Sequence, residues 1–133
     1  MTRAVLADTG PLLAAVDTDD QFHKRAQADL ARIRQERISV LVVSSTLFEA
    51  YSLILRRIAL PSAQQWLAEF RQQIEIILPT GEDIDDAVEL LVRFHDQPIT
   101  LVDAVLGVVA DRSTFPVWTY DHHFDVMRVA VWH

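Results

Sequence analysis

At 133 residues, with 19 acidic and 12 basic side chains, the chain carries a net charge of −7 and has the length of one domain. Half of it is hydrophobic with only 3 Gly and 5 Pro, which excludes disordered, collagen-like and low-complexity chains. With no Cys there is no disulfide framework and no thiolate metal site, and no apolar run approaches the ~18 residues that cross a bilayer. Asp8 interrupts the first apolar stretch before a signal-peptide core forms, so the expected location is cytoplasmic, away from any membrane.

In chain order, Ala4–Ala7 reads as a first strand, and Gly10-Pro11 opens a helix with Pro at its first position. A second helix runs from Asp20 to about Glu36, followed by a strand over Ser39–Val43. Thr46-Leu47-Phe48-Glu49 has capping-box spacing, as does Ser62-Ala63-Gln64-Gln65, and each is expected to open a helix. In the first of these, Leu47, Phe48, Tyr51, Ile54, Leu55 and Ile58 cover more than one face. That breadth fits a helix wedged between neighbours, or a surface for a second copy or a peptide. Ile74–Leu78 is a third strand. Thr80-Gly81-Glu82-Asp83 and Thr100-Leu101-Val102-Asp103 open two more helices with acids in the first turn, and Pro116–Thr119 and Val129–Trp132 bring the strands to five. Short, continuously apolar strands alternating with helices predict a mostly parallel sheet inside an α/β/α sandwich, a single domain over residues 1–133.

Charge is uneven along the chain. Residues 1–60 carry a net +1 and residues 61–133 a net −8, and all the cations but Lys24 are Arg. Such an acid surplus argues against a protein that grips nucleic acid through bulk charge.

In a parallel α/β sheet, ligands bind beyond the carboxyl ends of the strands. Asp8 follows the first strand, Glu49 lies early in the helix after the second, and Asp121 follows the fourth by two residues. The helix that Asp103 opens leads into the fourth strand and runs antiparallel to it, so Asp103 returns to the same edge. Four ionised acids cannot cluster without a counter-charge. A hard divalent cation resolves this: Mg²⁺ and Mn²⁺ take oxygen ligands, activate water and stabilise in-line displacement at phosphorus. The expected chemistry is metal-dependent phosphodiester hydrolysis.

Each acid also has a purely structural reading. Glu49 and Asp103 fit capping boxes with Thr46 and Thr100, Asp8 fits a turn before Gly10-Pro11, and Asp121 fits a cap for the turn His122–Met127. Capping does not explain why all four share one edge. Glu82, Asp83, Asp85, Asp86 and Glu89 read as surface favoured by a helix dipole, and Asp125 as either a turn residue or a supporting acid. His122 and His123 are adjacent, which is not the i, i+4 spacing of a helical zinc pair, and His23, His95 and His133 are isolated. A phospho-receiver switch needs an acceptor Asp after strand three, where Leu78-Pro79-Thr80 stands, and a Lys at the edge. A haloacid-dehalogenase-type phosphatase needs an acid where Gly10 sits. A catalytically silent module, receiving a partner's Arg in the acidic pocket, is the remaining alternative.

The segments Ala7-Asp8-Thr9-Gly10-Pro11-Leu12-Leu13, Val42-Val43-Ser44-Ser45 with Glu49-Ala50, Leu101-Val102-Asp103-Ala104 and Thr119-Tyr120-Asp121-His122-His123-Phe124 resemble those of PIN-domain ribonucleases, most of all the VapC toxins of VapBC toxin–antitoxin pairs. The resemblance covers residues 4–127. It implies a five-stranded parallel sheet, a Mg²⁺ or Mn²⁺ site on Asp8, Asp103 and Asp121 with Glu49 completing the catalytic set, and RNA as substrate. It further implies a homodimer and a VapB-like antitoxin whose C-terminal segment blocks the pocket. A supporting hydroxyl role falls on Thr9 or Thr119. Many members carry Ser where this chain has Gly10, so that hydroxyl is absent. With the metal supplying charge, RNA approaches through local Arg such as Arg56-Arg57, and its affinity depends only weakly on salt.

Overall fold

A computed structural model describes residues 3–133. The first two residues of the expected 1–133 domain lie outside the described residues. In chain order the elements are β1 (Ala4–Ala7), α1 (Thr9–Val16), α2 (His23–Gln35), β2 (Ser39–Val43), α3 (Ser44–Arg57) and α4 (Leu60–Phe70). They continue with β3 (Ile74–Ile77), α5 (Gly81–Arg93), α6 (Leu101–Ser113), β4 (Val117–Trp118) and α7 (His123–Val126). The sheet order is β3-β2-β1-β4 and every pairing is parallel, with Leu6 opposite both Leu41 and Val117.

Two-residue alternation sends successive side chains to opposite faces, and each face builds its own core. Leu6, Leu41, Val43 and Val117 pack with Ala104, Leu106, Val109 and Ala110 of α6 and with Phe124. Val5, Ala7, Val42 and Trp118 pack with Leu12, Leu13, Ile33, Leu47, Ile54 and Trp66 on the other face. The result is a three-layer α/β/α sandwich, with α5 and α6 on one side and α1 to α4 on the other. Among the described residues no helix is long and apolar enough to cross a membrane.

Local structure departs from the expected elements in several places. Helix α1 starts at Thr9 on an Asp8 N-cap, which puts Pro11 at its third position rather than its first. The expected fifth strand, Val129–Trp132, is reduced to a single parallel bridge between Val117 and Val131. Its partner β4 is two residues long, because Pro116 has no N–H to donate and Thr119 already turns toward the cleft, so only Val117 is left to bond Ala130 and Trp132. The Thr46–Glu49 capping box does not form: β2 runs straight into α3 with Val43 as N-cap, which places Thr46 inside the helix and its hydroxyl in the core without a partner. Likewise α4 starts at Leu60, with Ala59 as N-cap and Pro61 in its first turn, ahead of Ser62. The helix expected from Asp20 begins only at His23, because the Asp17 and Asp20 carboxylates bond the N–H of Asp19 and Phe22 and hold that stretch in turns.

Thr80 and Asp83 do form the expected reciprocal capping box. Asp83 is also buried and receives both Nε and Nη2 of Arg112, at 2.9 and 2.8 Å, which ties α5 to α6. The breadth of α3 is resolved as two faces. Leu47, Ala50 and Ile54 are buried, whereas Phe48 is 68% exposed, with Leu55, Ile58 and the neighbouring Leu60 also exposed.

Candidate metal and nucleic-acid cleft

A cleft of about 510 Å³ opens at the carboxyl ends of the strands. Asp8, Thr9, Glu49, Thr100, Asp103, Tyr120 and Asp121 line it together with Asp20, Phe22, Arg57 and His122. All four carboxylates expected at this edge are therefore present in one cavity.

Asp8 directly follows β1 and serves as the N-cap of α1. Its Oδ1 accepts from the Thr9 N–H at 2.8 Å, and its Oδ2 accepts from the Thr119 hydroxyl at 2.8 Å. Thr119 Oγ1 in turn accepts the Asp121 N–H at 3.0 Å, so one hydroxyl fixes two acids from opposite ends of the chain. Burial, with Asp103 and Asp121 adding like-charge repulsion, raises the Asp8 pKa to about 7 despite the two hydrogen bonds that favour its ionised form. Burial and Asp121 raise Asp103, and burial and Asp103 raise Glu49.

The capping readings of these acids are partly correct. Thr100 Oγ1 accepts the Asp103 N–H at 3.1 Å, so Asp103 takes part in the helix start while its side chain lines the cleft. Asp121 Oδ1 accepts the His123 N–H at 2.9 Å and so makes the expected turn while lining the cavity. Because α3 starts at Ser44, Glu49 falls one turn further along and has no capping duty. Asp125 sits exposed on α7, outside the cleft.

The donor set fits a hydrated hard cation. Among the described residues no Arg or Lys ion-pairs with these four acids, and the Thr9 hydroxyl is buried beside Asp8 without a hydrogen-bond partner. The carboxylates are also spaced too widely for three of their oxygens to lie within 4.8 Å of one another. That spacing suits an ion which keeps several of its waters.

Sequence reading missed the wall formed by Asp20, Phe22 and Tyr120. The Tyr120 hydroxyl donates to Asp29 Oδ2 at 2.6 Å, and Trp118 Nε1 donates to the same oxygen at 3.1 Å. Phe22 packs on the Tyr120 ring at 5.0 Å, and Arg25 lies over that ring at 4.3 Å. Burial and the bond to Asp29 hold the Tyr120 phenol far above the ordinary tyrosine range. The Tyr120–Asp29 bond spans 91 positions, and no local spacing signals it.

Comparison with known proteins agrees with this architecture. The family model described as PIN domain matches residues 5–130. No curated protein matches the chain in sequence. Among solved structures, Mycobacterium tuberculosis VapC20, described as a sarcin-ricin loop cleaving toxin, aligns with TM-score 0.82 at 19% identity, covering 95% of this chain and 96% of that one. VapBC2 from Rickettsia felis, bound to a DNA fragment from its promoter, aligns with TM-score 0.76 at 14% identity, covering 98% and 97%. FitAcB from Neisseria gonorrhoeae aligns with TM-score 0.68 at 19% identity, covering 97% and 96%.

Proposed function

The chain belongs to the PIN-domain family, and on that footing we propose that residues 1–133 form one nuclease domain, a VapC-type toxin that hydrolyses RNA in the cytoplasm with Mg²⁺ or Mn²⁺. What carries the reading is the convergence of Asp8, Glu49, Asp103 and Asp121 on one cleft, with Thr119 clamping two of them and no Arg or Lys pairing any of the four among the described residues. The sarcin-ricin loop cleavage ascribed to VapC20 agrees with RNA as the substrate class.

In this mechanism Asp8, Asp103 and Asp121 would hold the cation, directly or through water. Bound there, Mg²⁺ or Mn²⁺ would neutralise the clustered charge, lower the pKa of water and stabilise in-line displacement at phosphorus. Thr119 fixes the mutual placement of Asp8 and Asp121 through the two hydrogen bonds of its hydroxyl. Glu49, raised in pKa and open to solvent on one side, orients the attacking water and accepts its proton on a carboxylate oxygen. The bond from phosphorus to the 3′ oxygen breaks, and that oxygen leaves with the electron pair and takes a proton from water, which gives a 5′-phosphate and a 3′-hydroxyl. Arg57, at the rim of the same cleft, meets the flanking phosphates.

A VapB-like antitoxin is the expected partner, with its C-terminal segment over the cleft, in keeping with the fold shared with VapBC2 and FitAcB. The exposed apolar side chains of α3 support a homodimer.

The test is RNA cleavage by purified protein in Mg²⁺ or Mn²⁺, with and without EDTA, followed by analysis of the product ends. Loss of cleavage in EDTA and in Asp8→Asn is expected. Cleavage that survives EDTA, or a 2′,3′-cyclic phosphate end, would sink the mechanism. Failure of the wild type to bind Mn²⁺ would favour the silent module instead.

A further inference from the structure

We propose that Asp121, His122 and His123 form a second metal site, one that takes a borderline divalent transition ion of the zinc class and shares Asp121 with the carboxylate centre. One ligand atom from each of the three residues lies within 4.8 Å of the other two. His123 Nδ1 is 3.2 Å and His122 Nδ1 is 3.7 Å from Asp121 Oδ1, and the imidazole rings are 4.4 Å apart.

Neighbouring side chains in an extended segment point apart, so adjacent histidines carry no metal signature in sequence. Here the chain bends between β4 and α7. Asp121 Oδ1 accepts the His123 N–H, and His122 takes right-handed helical dihedrals (φ −66°, ψ −15°), which brings both rings round to the one carboxylate. His123 Nδ1 is buried, and its contact with Asp121 does not make a hydrogen bond. A buried ring nitrogen without a hydrogen-bond partner, 3.2 Å from a carboxylate oxygen, is placed to share a cation with that oxygen. The His122 side chain is 75% exposed and free to swing. A small rotation closes the ligands to the separation of about 3.3 Å that tetrahedral zinc requires.

The donors decide which ion binds. Two imidazoles and one carboxylate, with a fourth position open to water, suit zinc-class ions. The all-oxygen set around Asp8 and Asp103 suits Mg²⁺. Zinc held by the histidines draws Asp121 away from the carboxylate centre, so the two ions antagonise each other through the shared ligand. That antagonism rests on the nuclease reading, whereas zinc binding itself does not.

The test uses the purified full chain. Zn²⁺ is titrated against a chromophoric chelator, X-ray absorption at the zinc edge reports the ligands, and Mn²⁺ binding is followed separately by electron paramagnetic resonance. One Zn²⁺ per chain with imidazole scattering is expected. Zinc affinity should fall by about tenfold or more in His122→Ala, and again in His123→Asn, while Mn²⁺ affinity in His122→Ala moves by less than about threefold. Asp8→Asn should show the reverse, losing Mn²⁺ and keeping Zn²⁺. Because His122 is exposed, its replacement leaves the fold intact, so unchanged zinc affinity in His122→Ala would overturn the site, as would zinc scattering without imidazole. In Mg²⁺-driven RNA cleavage, Zn²⁺ should inhibit the wild type and be about tenfold less potent against His122→Ala. Equal potency would overturn the antagonism, and absence of any cleavage would refute the nuclease reading while the zinc measurements still judged the site.

Discussion

Replacing Asp8 by asparagine separates the energetic burden of a buried carboxylate from its use as a ligand. In the folded chain burial comes first among the causes that lift its pKa from 3.8 to about 7, with Asp103 second. The folded state therefore keeps the proton up to about pH 7, whereas the unfolded chain releases it near pH 4. With a folded value above the unfolded one, the contribution of Asp8 to the stability of the metal-free protein is greatest below pH 4 and falls as pH rises from 4 to 7. A difference of about three pKa units at about 1.4 kcal/mol each makes the penalty about 4 kcal/mol at pH 8, and about 2 kcal/mol at pH 5. The neutral amide removes this penalty. Its NH₂ group, however, meets a Thr119 hydroxyl that already accepts the Asp121 N–H and must redirect its own hydrogen, at a cost of about 1 kcal/mol. In EDTA, urea unfolding should therefore find Asp8→Asn more stable than the wild type by about 3 kcal/mol at pH 8 and by about 1 kcal/mol at pH 5. Mn²⁺ should stabilise the wild type and leave the variant unmoved. A variant no more stable at pH 8, or a gain equal at both pH values, would refute the reasoning.

Three other substitutions probe separate parts of the molecule. Thr119→Val removes the hydroxyl between Asp8 and Asp121 at nearly constant volume; calorimetry should show Mn²⁺ affinity falling about tenfold, with Thr119→Ser restoring most of it. Asp83→Asn weakens the paired bonds to Arg112 and should destabilise the protein by about 1–2 kcal/mol at pH 7 in urea unfolding. Because Arg112 depresses the Asp83 pKa, that contribution is full above the unfolded carboxylate pKa and vanishes as pH falls through the lower folded value, so the two proteins should converge in strong acid. Phe48→Glu places a charge on the exposed apolar face of α3; on the proposed homodimer, sedimentation should find the wild type dimeric and the variant monomeric, whereas a monomeric wild type would refute the homodimer and a dimeric variant would refute this interface.

The sequence by itself determined the layers and the edge. Apolar runs such as Ala4–Ala7 and Ser39–Val43, separated by helical stretches, leave little choice but a buried parallel sheet, and parallel strands carry whatever follows them to one side. For that reason Asp8, Glu49, Asp103 and Asp121 could be assigned to a common edge before any coordinates. Helix starts were less legible, because capping-box spacing is a local signal. It held at Thr80, where the chain enters the helix from a loop, and failed at Thr46, where β2 continues into α3 without a break. Only the tertiary structure decided which hydroxyl serves the acids. Thr119 meets Asp8 across 111 positions, while Thr9, the sequence neighbour, is left without a partner. It also decided that two adjacent histidines face one carboxylate, since a tight turn reverses the divergence expected of neighbouring side chains. Periodicity fixes which face of an element is buried. Contacts between residues far apart depend on how those faces are brought together, and no local pattern encodes that.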